Sequence, residues 1–147
     1  MEMMRWLDGV VDYGIIGLLA AMSVLVLGVS LERFFFYRGV DVTTVDNKKV
    51  LELEMGKRLN ILGTIASIAP YIGLLGTVIG IMLTFYHMGL DKTMDSGKIM
   101  IGLSMALKAT ASGLVVALLA VSLYNYLVRK VRVCILKWDI EHERTAN

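Results

Sequence analysis

Charge is scarce in this sequence and absent from three long stretches of it. Only 19% of the 147 residues are Asp, Glu, Lys or Arg, against roughly 25% in soluble domains. None lies from Tyr13 to Leu31, from Ile61 to Tyr86, or from Ala109 to Val128, runs of 19, 26 and 20 residues. A bilayer core about 30 Å thick is crossed by about 20 apolar residues as a helix. A soluble enzyme and a disordered chain are excluded by these runs. A membrane barrel does not fit either, because its strands would alternate polar and apolar residues. The lone cysteine, Cys134, rules out a disulfide scaffold. A net charge of +2 is too small to suggest nucleic-acid binding. No Asp, Glu or His lies inside a run, and there is no H-E-x-x-H, Ser/His/Asp set, C-x-x-C or phosphate loop. An intramembrane enzyme needs ionisable groups at depth, so no catalysis, cofactor or metal site is expected.

What is present is apolar. Hydrophobic residues make up 56% of the chain and mean hydropathy is +0.67. The ten methionines read as lipid-facing and packing residues. The expectation is one all-α integral membrane domain over residues 1–147, with three long transmembrane helices at about 10–38, 50–88 and 97–140. Residues Met1 to Asp12 carry Glu2, Asp8 and Asp12 against Arg5, and the first run ends in Leu31-Glu32-Arg33. That is neither the basic start nor the small-residue cleavage site of a signal peptide, so the first span reads as a retained anchor.

Basic residues set the expected orientation. Segments 32–60 and 129–147 hold six and five Lys or Arg; the N-terminal tail and the 87–98 hairpin hold one and two, namely Arg5, Lys92 and Lys98. Eleven against three places the N-terminus outside and the C-terminus inside. Trp6, Tyr13, Phe34, Phe35, Phe36, Tyr37, Tyr86, Tyr124, Tyr126 and Trp138 near the run ends suit membrane interfaces. Arg33, Arg38, Arg129 and Arg132 are candidates for contacting anionic headgroups. Between the first two spans, Asp41 to Asp46 reads as extended or a turn. Lys48 to Asn60 reads as a helix, with Leu51, Met55, Leu59 and Leu62 on one face, running into the second span with little break.

The second and third spans carry stripes of small residues. Ala66, Ala69, Gly73, Thr77, Gly80 and Thr84 follow at helical spacing in the second, and Gly76 with Gly80 makes a G-x-x-x-G pair. Gly102, Ala106, Ala109, Gly113, Ala117 and Ala120 do so in the third, with Thr110 beside them. Such faces let helix backbones approach closely, which drives association in lipid. Two on consecutive helices imply a tight hairpin, a tight oligomer, or both, with the first span on the lipid side. Pro70, the only proline, is expected to bend the second helix. Threonines at depth either bond back to their own helix or line a polar path. Lys108, the one charge in an apolar setting, either snorkels to headgroups or sits at a pore mouth. His87 and His142 read as solvated residues.

Two stretches carry a resemblance. Ala69 to Met82 (APYIGLLGTVIGIM) resembles the second-span signature of the MotA/TolQ/ExbB proton-channel family. Ala106 to Leu114 (ALKATASGL), followed by Tyr124-Asn125, resembles its third-span signature, and Glu32-Arg33 fits the end of its first span. The short ExbB branch is the best match. The resemblance implies a homo-oligomer, a pentameric ring in the bacterial inner membrane around an ExbD-like single-span protein, which couples proton motive force to a TonB-like protein and outer-membrane transport. Thr77 and Thr110 match the family's pore-facing threonines. Many relatives carry a glutamate where Met105 stands and a proline where Leu119 stands. No proton-carrying carboxylate therefore comes from this chain, and by analogy the titrating group is an aspartate of the partner. A Tol–Pal-type motor subunit, and a passive membrane scaffold for a single-span partner, are the alternative readings. The flagellar stator fits less well, because its homologue has a large cytoplasmic domain where this chain has the short 32–60 loop.

Overall fold

Long uncharged runs with few breakers fold as helices, because only a helix satisfies every backbone N–H and C=O within one segment in lipid. The computed structural model describes Trp6, residues 9–90 and residues 95–146. A π-helical turn at Val10–Ile15 leads into α1 (Ile16–Gly39); a 3-10 turn at Val42–Thr44 precedes α2 (Lys48–Gly56); α3 is Leu59–Leu90 and α4 is Ser96–Ala146. Helices at Tyr13–Gly39, Leu59–Leu90 and Ser96–Ala146 are long and apolar enough to cross a membrane, so the all-α, three-span expectation holds. The 91–94 part of the hairpin, with Lys92, lies outside the described residues, as does Arg5. α3 continues through Pro70. α4 has 51 residues, about 75 Å of helix, so it extends well beyond a bilayer core.

The bundle is built on one stripe running from the end of the π-helical turn along α1 and on the facing sides of α3 and α4. Ile15, Leu19, Met22 and Val26 are buried at spacings of four, three and four, against Leu62, Ile65 and Ala69 of α3 and Val116, Ala120 and Leu127 of α4. The other faces carry exposed Leu18, Leu25, Leu74, Val78, Leu114 and Leu118, which suits a chain surrounded by lipid or by further transmembrane helices. α3 and α4 are antiparallel and form the closest pair, and α1 lies mainly along α4.

One boundary departs from expectation. The helix starting at Lys48 does not run into the second span: it stops at Gly56, Lys57 is extended, and Arg58 takes a positive φ of 64°. A helix end leaves carbonyls without intrahelical donors, and here α1 supplies them. Arg33 Nη1 donates to Glu54 O at 3.2 Å and Tyr37 Oη donates to Met55 O at 2.5 Å. Glu32 pairs with both Arg33 and Arg58. The break is therefore tied down by three side chains of α1.

The strap between α1 and α2 is held from the other side by the end of α4. Asp41 caps the 3-10 turn through Thr43, and Asn47 Oδ1 caps α2 by accepting from Lys49 N. Trp138 Nε1 donates to Val45 O at 2.6 Å, and Lys48 pairs with Asp139 at 2.8 Å. The Asp139 contact raises the Lys48 pKa, and the Thr43 hydrogen bonds lower that of Asp41. Trp138 thus sits on the strap, and the His142 ring stacks on it at 3.7 Å.

Candidate functional site

The small-residue stripes meet each other within the chain. A Cβ placed on Gly73 would lie 2.8 Å from Ala109 O and 3.1 Å from the Cα atoms of Gly113 and Thr110. One on Gly113 would lie 2.7 Å from Ala69 O and 2.9 Å from Gly73 Cα. At this crossing backbone packs directly on backbone. The neighbouring levels are as tight, with side chains as the nearest neighbours: Gly76 faces the Ala109 methyl and Ile15, Gly80 faces Ala106, and Gly102 faces Thr84. Ala106, Ala109 and Ala117 are buried on the same face of α4. The sequence stripes thus form the hairpin interface itself.

The two threonines converge at that crossing. Thr77 Oγ1 and Thr110 Oγ1 are hydrogen-bonded to each other across the helices. Thr77 Oγ1 also reaches Ala106 O at 3.2 Å, and Thr110 Oγ1 reaches Gly73 O at 3.1 Å. Both hydroxyls therefore bond to the opposite helix, whereas membrane threonines commonly bond back to their own turn; the Thr77 contact to Gly73 O on its own helix is the longest of the set, at 3.4 Å. Thr77 is 8% exposed, and Thr110 is more open, at the edge of the same contact.

Two hydroxyls carry two protons and can share them in two ways. In one, Thr77 donates to Thr110 and Thr110 donates to Gly73 O. In the other, Thr110 donates to Thr77 and Thr77 donates to Ala106 O. Each hydroxyl can donate one bond and accept others. In both, Thr110 keeps a lone pair for a visiting group; in the first, turning its proton from Gly73 O to the visitor makes it a donor as well, while the buried Thr77 hydroxyl stays bonded to it.

Other candidates fall elsewhere. Lys108 is exposed and points away from the α3–α4 interface. Arg38, Arg129 and Arg132 are exposed at the basic end of the bundle. Arg33 is corrected: it is 5% exposed and bonded to α2, with its guanidinium 5.0 Å from the Phe36 ring, so it is not placed for headgroups. Its Nε and the Ser30 hydroxyl are buried without partners among the described residues. The sequence reading missed the Arg33–Tyr37 clamp; the signal available was their spacing of four at the end of an uncharged run. Among the described residues no group of His, Cys, Asp and Glu could hold a metal ion.

Residues 30–140 match the MotA/TolQ/ExbB proton channel family. Biopolymer transport protein ExbB of Aquifex aeolicus is 49% identical over 140 residues, covering 95% of both chains. Putative biopolymer transport protein ExbB-like 2 of Helicobacter pylori is 50% identical over 132 residues, 90% of this chain and 88% of that one. ExbB of Salmonella typhimurium is 42% identical over 77 residues, which is 52% of this chain and 32% of that longer protein.

Proposed function

The chain belongs to the MotA/TolQ/ExbB proton channel family, and on that premise we propose that it is the channel-motor subunit that couples proton motive force to TonB-dependent outer-membrane transport. Its three spans and its family make it a multi-pass inner-membrane protein of ExbB type, and that family is one of transport subunits rather than enzymes. The proposed assembly is a homo-oligomeric ring, a pentamer, with the N-terminus outside, α3 and α4 facing the centre and α1 facing lipid. An ExbD-like single-span protein occupies the centre and a TonB-like protein takes up the work.

The observation that carries this reading is the hydroxyl pair at the backbone crossing. No Asp, Glu or His lies within the uncharged runs, so the titrating carboxyl comes from the partner helix. Desolvation raises the pKa of a carboxyl held among apolar side chains and keeps it neutral. As an acid it donates to Thr110 Oγ1; as a carboxylate it accepts from the same hydroxyl. The chain's contribution is to offer both partners at one place without exposing an unsatisfied group. The other protomer residues form an apolar sleeve that denies the proton a second route.

A passive scaffold is the second reading, favoured by one fact: both hydroxyls already have partners within the hairpin. Valine replaces the threonine hydroxyl with a methyl of similar size. Thr77→Val leaves Thr110 bonded to Gly73 O, and Thr110→Val leaves Thr77 bonded to Ala106 O, so each single change costs about 0.5–1.5 kcal/mol and assembly survives. Proton-gradient-dependent uptake in cells is expected to fall strongly in each, to vanish nearly in the double variant, and to persist in part with serine at either site. A double valine variant that assembles and transports at the wild-type rate would make the hydroxyls packing groups and favour the scaffold.

A further inference from the structure

The sides of α1 and α4 facing away from α3 leave a groove that the proton path does not use. Leu27, Leu31, Phe34, Leu123, Tyr126 and Leu127 wall a cavity of about 350 Å³. Phe34, Tyr126 and Leu127 also wall a second cavity of about 170 Å³, where Arg38, Lys130 and Lys137 enter the lining. The shared walls make the two cavities one groove, apolar at one end and basic at the other. The change comes where charge resumes along both helices, after Leu31 on α1 and after Val128 on α4, which is the level of a membrane surface.

Among the described residues, four cations of the neighbouring segments are neutralised within the chain, whereas those of this groove, like the adjoining Arg129 and Arg132, are not. Arg33, Lys48, Lys57 and Arg58 each pair with a carboxylate. Among the described residues Arg38, Lys130 and Lys137 pair with none, and no Asp or Glu lines either cavity. Two of these cations lie near aromatic faces in the wall. The Arg38 guanidinium lies 5.8 Å from the Phe34 ring, and Lys130 Nζ lies 5.6 Å from the Tyr126 ring. Aromatic contact orients a cation and leaves its hydrogen-bond donors available. An apolar slot within the membrane, opening onto unpaired cations at its surface, complements one kind of molecule: a single charged head on an apolar chain.

We propose that the α1–α4 groove binds an anionic phospholipid, with one acyl chain between Leu27 and Leu123 and its phosphate on Arg38, Lys130 and Lys137. This narrows the headgroup expectation from scattered arginines to one site and is independent of the threonine path. A bound lipid there would cement α1 to α4 where apolar packing is open. It would also make the protein sensitive to the anionic lipid content of its membrane.

The test uses the purified full-length assembly, titrated with dioleoylphosphatidylglycerol or dioleoylphosphatidylcholine and read by native mass spectrometry. The anionic lipid is expected to bind with saturating stoichiometry and the zwitterionic one much more weakly. Losing two basic contacts at about 1 kcal/mol each corresponds to about 30-fold, so Arg38→Gln with Lys130→Gln should weaken the anionic lipid by that factor. Lys49→Gln with Arg144→Gln removes the same charge from other exposed sites and should change little. Leu123→Trp and Leu27→Trp fill the apolar end from opposite walls, and at least one that assembles should lose the lipid with every cation in place. Equal binding of both lipids overturns the proposal, as does equal weakening by the two double variants. It is also overturned if every tryptophan variant that assembles keeps wild-type binding, or if a photo-crosslinker at Leu123 captures a second protein copy instead of lipid.

Discussion

Gly113→Ala is the sharpest test of the hairpin. The added Cβ would meet Ala69 O at 2.7 Å, and ordinary van der Waals contact begins at 3.4 Å. The neighbours are backbone atoms of Ala69 and Gly73, which cannot rotate aside, so the helices must part by the difference, about 0.7 Å. A gap of that size forfeits a quarter to a half of the dispersion attraction across the crossing. Thr110 Oγ1 now lies 3.1 Å from Gly73 O; moved apart by the same amount it would be about 3.8 Å away, beyond hydrogen-bonding distance. Overpacking of this kind costs about 1–3 kcal/mol, and the better helix propensity of alanine recovers up to about 1 kcal/mol. A Cβ at Gly17 or Gly28 meets nothing within 4 Å, so alanine there keeps the propensity gain without the clash. Thermal unfolding of the detergent-purified protein should place Gly113→Ala below wild type, and Gly28→Ala at or above it. Coupled uptake should fall with Gly113→Ala, because the hydroxyl pair is pulled apart. A Gly113→Ala protein as stable and as active as Gly28→Ala would refute the close backbone contact.

Arg33→Leu should free the end of α2: it removes a charged donor from Glu54 O and a partner from Glu32, a loss of about 1.5–3 kcal/mol, and trypsin should cut faster after Lys57 and Arg58 than in wild type. Asp139→Asn should loosen the strap at neutral pH. The Lys48 pKa is raised by Asp139 in the fold, so the pair's contribution is complete below the ordinary lysine value and is lost as pH rises through the raised one. The difference in thermal midpoint between wild type and Asp139→Asn should therefore shrink toward zero at strongly alkaline pH, and a difference unchanged there would remove Lys48 as the partner.

The three spans were legible because lipid imposes one rule on every turn of a helix, and uncharged runs of the right length announce it. The faces of α3 and α4 were legible for a related reason: small residues at spacings of three and four leave little else for a helix side to do in a membrane. What could not be read was which partner those faces meet. A stripe of glycine and alanine is equally consistent with a hairpin and with an oligomer, and only the register of Gly73 on Ala109 and Gly113 assigns it to the hairpin. Thr77 and Thr110 stood out in the sequence, but sat 33 residues apart; their direct contact depends on that same register. The break at Lys57 and Arg58 was hidden because it is caused from a distance. Gly56 is the one local breaker in Lys48 to Asn60, and a lone glycine does not stop a helix as proline would; the donors that hold the break, Arg33 and Tyr37, belong to α1.

The tightness of the crossing constrains any mechanism that runs through it. Packed interfaces shift between discrete arrangements rather than deforming smoothly, and backbone-on-backbone contact at Gly73 and Gly113 has little room to slide. The hairpin of α3 and α4 therefore moves as one body, and α2 is tied to α1 by Arg33, Glu32 and Tyr37 and to α4 by Lys48 with Asp139. With those joints closed, the free motions in the proposed ring are between whole protomers or between a protomer and the proposed partner helix. Within the hairpin, what can change cheaply is the direction of the Thr77–Thr110 hydrogen bond, which moves two protons by hydroxyl rotation and no helix at all. In the proposed channel, a rigid wall with a reversible hydrogen bond set in it lets protonation of a visiting carboxyl change the visitor's position rather than the wall's shape.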